Sequence, residues 1–572
     1  MAELYRLVLR SGIGKTSLLL MAFLAVASSF LAAIPPHFLG AIVNVVGGGT
    51  TGQGVVYSPL SLLNRLLEAA SLLSGHPLLV FSLLFFFASC FAVLVRNLFV
   101  VFVSVCADRF IMYVRKASLD SVLFARKQKV SRFASGDIVH RVMADTKQLD
   151  YLVGVPLYVL ASDIFDLLWI SFFIALLDWR LLLLLAAVFP VLFVIGRKTG
   201  RKRRALAKRI QETEAEGTGN VQRVLTGLDT IKVFGAENKE SGFFARLMEG
   251  IFSLERSSSI KLGSFFCVEG ALRALGTICA VAFAAHLAAA DPVYAGAIPV
   301  LILYSQRFYA PLGNWARFYQ VIQQSIISFQ RILEIVRLPR EASGREPMPD
   351  SDSMYPLAVA GSIVLESGRR VSMDVGFTRP GLVIVRGKSG VGKTQFTKSL
   401  LSLGLSFEGE LRLGGRLWDK NTLLSARSFF AYASQEGYFL PDSIGENIAY
   451  PHEYADIDRE RCQELLEALD MGHFSLDDEV EENARNLSLG EGRRLILGRA
   501  LYSRRPVLVL DEIDANVDPE TRRKIYDLVS REQEKRPIIM ITHVNASELA
   551  GVKHQCIIMT DMPDDFSGPK AV

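Results

Sequence analysis

The chain has 572 residues, of which 50% are hydrophobic and 21% are charged, and its mean hydropathy is +0.30. This composition excludes an ordinary soluble enzyme and is typical of a membrane protein, while the length predicts more than one domain. The net charge of +5 excludes little by itself. Apolar residues are concentrated in the first 330 positions, and from about Arg337 onward the sequence has the mixed charge of a soluble domain.

Six apolar stretches in the first part of the chain are long enough to cross a bilayer as helices. They cover residues 17–39, 77–105, 155–178, 180–197, 262–290 and 293–315. The first stretch runs past twenty residues without a small-residue cleavage site, so we expect no cleavable signal peptide. Ahead of it, Leu4, Leu7 and Val8 share one face of a helix that is predicted to lie along the membrane surface, with a frayed terminus as the alternative.

The distribution of lysine and arginine predicts the orientation of these spans. Nine such residues lie between Arg109 and Lys147, and a run from Arg197 to Arg204 follows the fourth span, whereas the opposite loops hold only Arg65 and Arg180. Both termini are therefore expected in the cytoplasm. The basic runs are explained by this rule, so no nucleic-acid partner is expected. The six cysteines form no CxxC pair and are predicted to be free thiols.

Charged residues interrupt the apolar stretches. They are Arg96, Asp163, Asp166, Glu269, Arg273 and Arg307. Because charge at bilayer depth is costly, such side chains face protein or water rather than lipid. Two interpretations stay open: structural ion pairs at helix contacts, or a polar chamber that binds the charged head of a substrate.

The first catalytic motif in the second half of the chain is a phosphate-binding loop. The short apolar strand Leu382–Val385 is followed by Gly387-Lys388-Ser389-Gly390-Val391-Gly392-Lys393-Thr394, which fits the pattern GxxxxGK[ST], and a helical pattern runs from there to about Leu403. Backbone N–H groups of the loop are expected to wrap the β-phosphate of ATP at the helix N-terminus. Lys393 is predicted to reach the β- and γ-phosphates and Thr394 to bind Mg²⁺, and we include Gln395 among the ATP-binding residues.

The second catalytic motif is an apolar strand that ends in two acidic residues. The run Val507-Leu508-Val509-Leu510 leads into Asp511 and Glu512. Asp511 is predicted to hold Mg²⁺ through water and Glu512 to polarise the attacking water, since phosphoryl transfer depends mainly on positioning and charge stabilisation.

These motifs resemble those of ATP-binding cassette exporters over nearly the whole chain. Asn486-Leu487-Ser488-Leu489-Gly490-Glu491 is similar to the signature loop LSGGQ, Gln435 to the Q-loop glutamine, Ala515–Asp518 to the D-loop and Ile541-Thr542-His543 to the switch histidine. The stretches Thr230–Glu237 and Ser325–Glu334 resemble the second cytoplasmic loop and the end of span six.

The resemblance implies roles for several residues. Two cassettes close head to tail, so Ser488 and Gly490 would touch the γ-phosphate held by the other cassette, while His543 would contact the γ-phosphate in its own. Gln435 would link Mg²⁺ and the water to the membrane domain. One cassette with six spans is a half-transporter, which requires a dimer; a homodimer is the default and an unequal heterodimer the alternative.

The sequence departs from the family pattern at three places. Leu489 replaces glycine and is expected to crowd the approach to the γ-phosphate. Glu366-Ser367-Gly368 stands where an adenine-stacking aromatic is usual, and Tyr355 is a poor substitute by spacing. Glu482-Asn483-Ala484 replaces the usual Glu-Arg-Gly ahead of the signature.

The sequence thus predicts an all-α transmembrane domain with six helices over residues 1–336, a linker over 337–352 and an α/β P-loop cassette over 353–572. The predicted function is ATP-driven export of an amphipathic or hydrophobic substrate through a bacterial inner or plasma membrane, with ATP and Mg²⁺ as cofactors. A non-transporting regulator that gates a partner membrane protein is the alternative, and an importer is disfavoured by the fusion of cassette and spans.

Overall fold

The computed structural model describes most of the chain. The described residues are 2–46, 76–290, 292–341, 355–364, 370–387, 390–401, 403, 407–413, 416–418, 427–434, 437–452, 456–515, 517–543 and 554–558. The chain divides into two units: Met1–Asp120 with Ser135–Arg337, and Ser121–Ala134 with Leu338–Val572. The unit that carries the cassette therefore takes in a short stretch that the sequence alone assigns to the membrane domain.

The first unit and the short stretch of 121–134 are helical. The helices are α1 (Ala2–Arg10), α2 (Lys15–Ala33), α3 (Pro35–Val46), α4 (Pro77–Leu123), α5 (Lys127–Val130), α6 (Ser135–His140), α7 (Thr146–Gln148), α8 (Asp150–Leu177), α9 (Trp179–Ala186), α10 (Val188–Thr226), α11 (Leu228–Val233), α12 (Glu237–Ala290) and α13 (Ala297–Val336). A π-helical turn (Arg141–Asp145) joins α6 to α7, and a 3₁₀ turn (Pro292–Gly296) precedes α13.

Five segments of the described residues are long and apolar enough to cross a membrane. They are Lys15–Val46, Pro77–Leu123, Ser135–Leu177, Trp179–Thr226 and Glu237–Ala289. The sixth predicted stretch, 293–315, is helical but carries Gln306, Arg307 and Asn314, which lower its hydropathy below that of the other five. Several helices also continue well past the apolar stretches, as the sequence predicts for the cytoplasmic connections: α12 begins at Glu237, whereas its apolar stretch begins at residue 262.

The amphipathic face of α1 packs on the other helices. Leu7 is 8% exposed and belongs to a buried cluster with Phe110 of α4 and Ile332 of α13. Glu3 forms an ion pair with Arg337, which directly follows α13. A nine-residue helix is marginal in isolation, so this packing holds α1 in place. The apolar face predicted to meet the membrane surface is thus used inside the protein.

One set of membrane charges is paired within the protein. An Arg307 guanidinium nitrogen lies 2.8 Å from the Asp166 carboxylate, and another donates to the carbonyl of Ala32. Asp163 accepts from the side-chain amide of Asn314 at 3.2 Å. Both aspartates are buried, so their charge is satisfied by side chains of α13 rather than by solvent, while the Ala32 carbonyl of α2 accepts from Arg307. We call Asp163, Asp166, Arg307 and Asn314 the helix-contact ion cluster.

The second unit contains an antiparallel and a parallel sheet. The strands are β1 (Leu357–Val364), β2 (Arg370–Phe377), β3 (Leu382–Arg386), β4 (Phe407–Leu413), β5 (Arg416–Trp418), β6 (Phe430–Ala433), β7 (Val507–Asp511), β8 (Ile538–Ile541) and β9 (His554–Ile558). The antiparallel sheet has the order β2-β1-β4-β5, and the parallel sheet has the order β6-β7-β8-β3-β9. The helices are α14 (Lys393–Leu400), α15 (Ile444–Ala449), α16 (Arg459–Ala468), α17 (Leu489–Tyr502) and α18 (Pro519–Glu532), and short 3₁₀ turns cover Arg427–Phe429 and Glu482–Ala484.

The parallel sheet positions the site. Its inner strands are continuous apolar runs because both faces are covered, and the β7 side chains are fully buried. Strand β8 lies between β3 and β7. Its Ile538 pairs with Leu382 of β3, and its Ile541 pairs with Asp511 of β7. The carboxyl ends of β3, β7 and β8 therefore meet at one edge, where ligands bind in open α/β sheets.

Candidate functional site

The P-loop joins β3 to α14. Gly390 and Gly392 have φ of +78° and +102°, a left-handed conformation that glycine adopts without steric cost. The Lys393 ammonium donates to the carbonyl of Gly387 at 3.0 Å, and burial lowers the pKa of Lys393. Gln395 is exposed on the first turn of α14. Lys388 and Ser389, also predicted to bind ATP, lie outside the described residues.

Asp511 ends β7 beside the start of α14. Its carboxylate is fully buried and accepts from the Thr394 hydroxyl at 3.0 Å and from the Tyr432 hydroxyl at 2.9 Å. Burial raises the pKa of Asp511. A carboxylate and a hydroxyl in contact are the oxygen ligands that Mg²⁺ prefers, so the residues fit the predicted metal.

Tyr432 was missed by sequence reasoning. Tyr432 of β6 pairs with Val509 of β7, a register that brings its hydroxyl to the end of β7. Burial, followed by the negative charge of Asp511, raises the pKa of Tyr432, so the hydroxyl keeps its proton and donates it. A tyrosine three positions before the Q-loop glutamine was the available signal, but only strand pairing connects it to Asp511.

Glu512 turns toward His543. Its φ of +52° is in the left-handed region, a strain of about 1–3 kcal/mol for a residue other than glycine. Its N–H donates to the carbonyl of Ile541 at 3.0 Å, and its carboxylate lies 3.1 Å from the His543 imidazole. The backbone of β8 thus holds the strained turn that sets the direction of Glu512. We call Lys393, Thr394, Asp511, Glu512 and His543 the P-loop edge.

A buried aspartate ties the D-loop to the switch histidine. One carboxylate oxygen of Asp514 accepts from the Thr542 hydroxyl at 2.5 Å and from the Tyr526 hydroxyl at 2.6 Å. Asp514 is 1% exposed, so both bonds form away from water. Because Thr542 directly precedes His543, this network positions the histidine. Sequence reasoning did not single out Asp514 or Tyr526.

The signature residues lie at the start of α17. The Ser488 hydroxyl accepts from the N–H of Glu491 at 3.2 Å, and the Glu491 carboxylate accepts from the N–H of Ser488 at 2.7 Å, which forms a capping box. Leu489 is 62% exposed. A Cβ at Gly490 would lie 3.4 Å from Val517 of the D-loop. The contacts of Ser488 and Gly490 are thus with α17 and the D-loop.

The Q-loop glutamine and the segments that depart from the family pattern are the remaining predicted features. Gln435 and Glu366-Ser367-Gly368 lie outside the described residues. Tyr355 is partly buried and packs against the core cluster that includes Phe377 and Phe396. Glu482-Asn483-Ala484 forms a short 3₁₀ turn in which Asn483 has a φ of +60°.

Two family patterns match the chain. The ABC transporter transmembrane region covers residues 18–312, and the ABC transporter pattern covers residues 371–515. The chain belongs to the ABC transporter family. It is a half-transporter with a helical transmembrane domain fused to an α/β ATP-binding cassette, so the predicted fold class is confirmed.

Known proteins similar to this chain include ATP-dependent lipid A-core flippases. The Ralstonia nicotianae protein is 24% identical, with 80% of each chain covered. The Photorhabdus laumondii protein is 23% identical over 92% of this chain and 93% of that relative. A solved bacterial Atm1-family ABC exporter with ATP bound has the same fold, with a TM-score of 0.73 and 19% identity over 98% of this chain and 94% of the other.

Membership of the family confirms several predictions. The chain is a multi-pass integral membrane protein of the exporter type that binds ATP and couples its hydrolysis to transport. Its partners are a second half-transporter and the lipid bilayer. The alternative of a non-transporting regulator is not favoured.

Proposed function

We propose that the protein is one half of a homodimeric pump that exports an amphipathic, lipid-like substrate from the cytoplasmic side of a bacterial inner or plasma membrane. The observation that carries the proposal is the P-loop edge, where hydroxyl, carboxylates, ammonium and imidazole lie at the carboxyl ends of three adjacent strands. The similarity to lipid A-core flippases supports an amphipathic cargo. The proposed domains are a transmembrane domain over residues 1–336, a linker over 337–352 and the ATP-binding cassette over 353–572.

Each residue of the edge has a role in hydrolysis. Lys393 binds the β- and γ-phosphates, and Thr394, Asp511 and Gln435 hold Mg²⁺, Asp511 through water. When bound, Mg²⁺ would supply positive charge against the negative charge that develops on the phosphate oxygens. Glu512 orients the attacking water, His543 contacts the γ-phosphate, and the contact between the two side chains fixes them relative to each other. The remaining P-loop residues, Gly387–Gly392, and Gln395 wrap the phosphates with backbone N–H groups.

The second cassette completes each site. Ser488 and Gly490 begin a helix whose N-terminal N–H groups suit an anion, and their contacts within the chain are with α17 and the D-loop. We therefore assign them to the γ-phosphate of ATP held by the other subunit. The exposed Leu489 is the observation that favours a second candidate, an unequal heterodimer in which this signature faces a weak site.

Reconstituted vesicles test the function. Full-length protein in liposomes with outward-facing cassettes is given ATP, and the movement of a fluorescent phospholipid into the inner leaflet is measured against Glu512→Gln. We expect ATP-dependent movement for the parent and none for the variant. Equal movement by both, or hydrolysis without any movement across a panel of labelled lipids, would contradict the proposal. Recovery of a second cassette protein in equal amount from the native host would contradict the homodimer.

A further inference from the structure

A second set of membrane charges differs from the helix-contact ion cluster. Glu269 and Arg273 are four residues apart on α12, and their charged groups lie 3.7 Å apart. The side chain of Glu269 is 8% exposed, whereas that of Arg273 is 41% exposed. The Glu269 carboxylate is thus buried, whereas much of the Arg273 side chain remains accessible.

The guanidinium of Arg273 borders a groove between α12 and α13. The groove is lined by Arg273, Thr277 and Ile278 of α12 and by Ile302, Ser305 and Gln306 of α13, among others. Arg273 lies within an apolar stretch, where polar side chains face protein or water rather than lipid. The groove therefore places polar groups beside apolar side chains in a segment that is otherwise apolar.

The groove offers donors suited to an anion. The Thr277 hydroxyl donates to the carbonyl of Arg273 at 2.9 Å, and the Ser305 hydroxyl donates to the carbonyl of Ile302 at 2.9 Å. Those hydroxyl protons are used within their own helices, which leaves the Arg273 guanidinium and the Gln306 amide as side-chain donors. Among the described residues that line the groove, none is acidic. The planar guanidinium matches a phosphate or carboxylate with two parallel hydrogen bonds.

Apolar side chains stand beside these donors. Ile278 is 65% exposed and Ile302 is 40% exposed, and both line the same groove. An anion bound by Arg273 would therefore have hydrocarbon surface next to it. An inorganic ion would leave that surface unused, whereas an acyl chain would cover it.

We propose that Arg273 and Gln306 form a subsite for the anionic head, phosphate or carboxylate, of an amphipathic substrate whose apolar chain lies along Ile278 and Ile302. This inference rests on the proposed export function and adds the chemistry of the head group. It also separates Arg273, which binds the ligand, from the helix-contact ion cluster, which is structural and has Arg96 4.0 Å from its Asp166.

Equilibrium binding to the full-length protein in detergent, without ATP, tests the subsite. The probes are dodecyl phosphate, dodecanoate, dodecyltrimethylammonium and inorganic phosphate. We expect one or both amphipathic anions to bind, and Arg273→Gln to weaken that binding by about tenfold or more through loss of a charge-assisted hydrogen bond. Arg273→Lys should retain part of the affinity and Gln306→Leu should lose about threefold, the effect of one neutral hydrogen bond. Arg180→Gln, a change at an exposed arginine outside the groove, is the matched control and should bind like the parent.

Three results would overturn the subsite. These are parent affinity for both anions in Arg273→Gln, equal binding of the cationic amphiphile, and displacement of the amphiphile by inorganic phosphate at a similar concentration. If Arg273→Gln does not fold, Gln306→Leu carries the test, and parent affinity in a folded Gln306→Leu contradicts the proposal. Because no hydrolysis is needed, a protein that binds dodecyl phosphate through Arg273 but moves no lipid contradicts the export function and not the subsite.

Discussion

The P-loop edge and the signature helix α17 are two regions of the same cassette. The edge matches the family pattern, whereas the signature departs from it. The edge keeps every residue of its motifs, and its side chains contact one another within the chain. The signature carries Leu489 in place of glycine, yet Ser488 and Glu491 still form a complete capping box. The departure therefore changes a surface side chain without changing the backbone that presents it. A motif substitution can alter what a second subunit meets while the local fold stays intact.

The largest expected effect is at the edge. Replacing Glu512 by Gln should keep ATP binding and lower hydrolysis by orders of magnitude, because the variant loses the group that orients the attacking water. ATPase rate and nucleotide affinity of the purified dimer check this. Glu520→Gln, an exposed acid on α18, is the matched control and should hydrolyse ATP at the parent rate. Parent-rate hydrolysis by Glu512→Gln would mean that the edge does not contain the catalytic group.

A smaller effect is expected at Tyr432. Its hydroxyl stabilises ionised Asp511, whose pKa is already raised by burial. Tyr432→Phe should raise the pKa of Asp511 further, so a proton competes with Mg²⁺ more strongly as the pH falls. The Mg²⁺ concentration for half-maximal ATPase should increase by about threefold, the effect of one net hydrogen bond, and the increase should be greater at lower pH. Tyr526→Phe, which removes a hydroxyl from Asp514 instead, serves as the control and should leave the Mg²⁺ dependence unchanged. An unchanged Mg²⁺ requirement in Tyr432→Phe would contradict the role.

The smallest effect is expected at the signature. Leu489→Gly should raise hydrolysis by a few-fold at saturating ATP, because removing an exposed side chain beside Ser488 clears the approach to the γ-phosphate. Leu489→Ala should give an intermediate rate. Ser488→Ala, by contrast, removes the cap of α17, which is worth about 1 kcal/mol, and should lower the rate. A lower rate in Leu489→Gly would show that the leucine contributes to the closed site. The substitution in the signature would then support hydrolysis, as the residues of the P-loop edge do.

The sequence predicts the edge well because its motifs are local. The strand Leu382–Arg386, the P-loop and the strand Val507–Asp511 can each be read from a run of neighbouring residues. Tyr432 and Asp514 could not be found this way, since their roles come from strand register and from contacts between distant segments. Their position depends on packing that no short pattern encodes.

The membrane domain shows a similar limit. Hydropathy locates the apolar part of each span, and the helical pattern of the cytoplasmic connections agrees with the start of α12 at Glu237, well ahead of its apolar stretch. The charges of the spans were visible in the sequence, whereas their division into a buried ion cluster and the exposed Arg273 depends on which helices pack together. Likewise, the face of α1 could be read from spacing, but its packing against Phe110 and Ile332 could not.

We propose that each ATP lies between the P-loop of one subunit and the signature of the other. Inter-subunit cross-linking tests it most directly, with Ser389→Cys on one chain and Leu489→Cys on another, both in a full-length protein that lacks the native cysteines and carries Glu512→Gln. We predict a cross-linked dimer that forms with ATP and Mg²⁺, is weak without nucleotide, and is absent when either cysteine is present alone. No cross-linked dimer in the presence of bound ATP would contradict the shared site and with it the homodimeric pump.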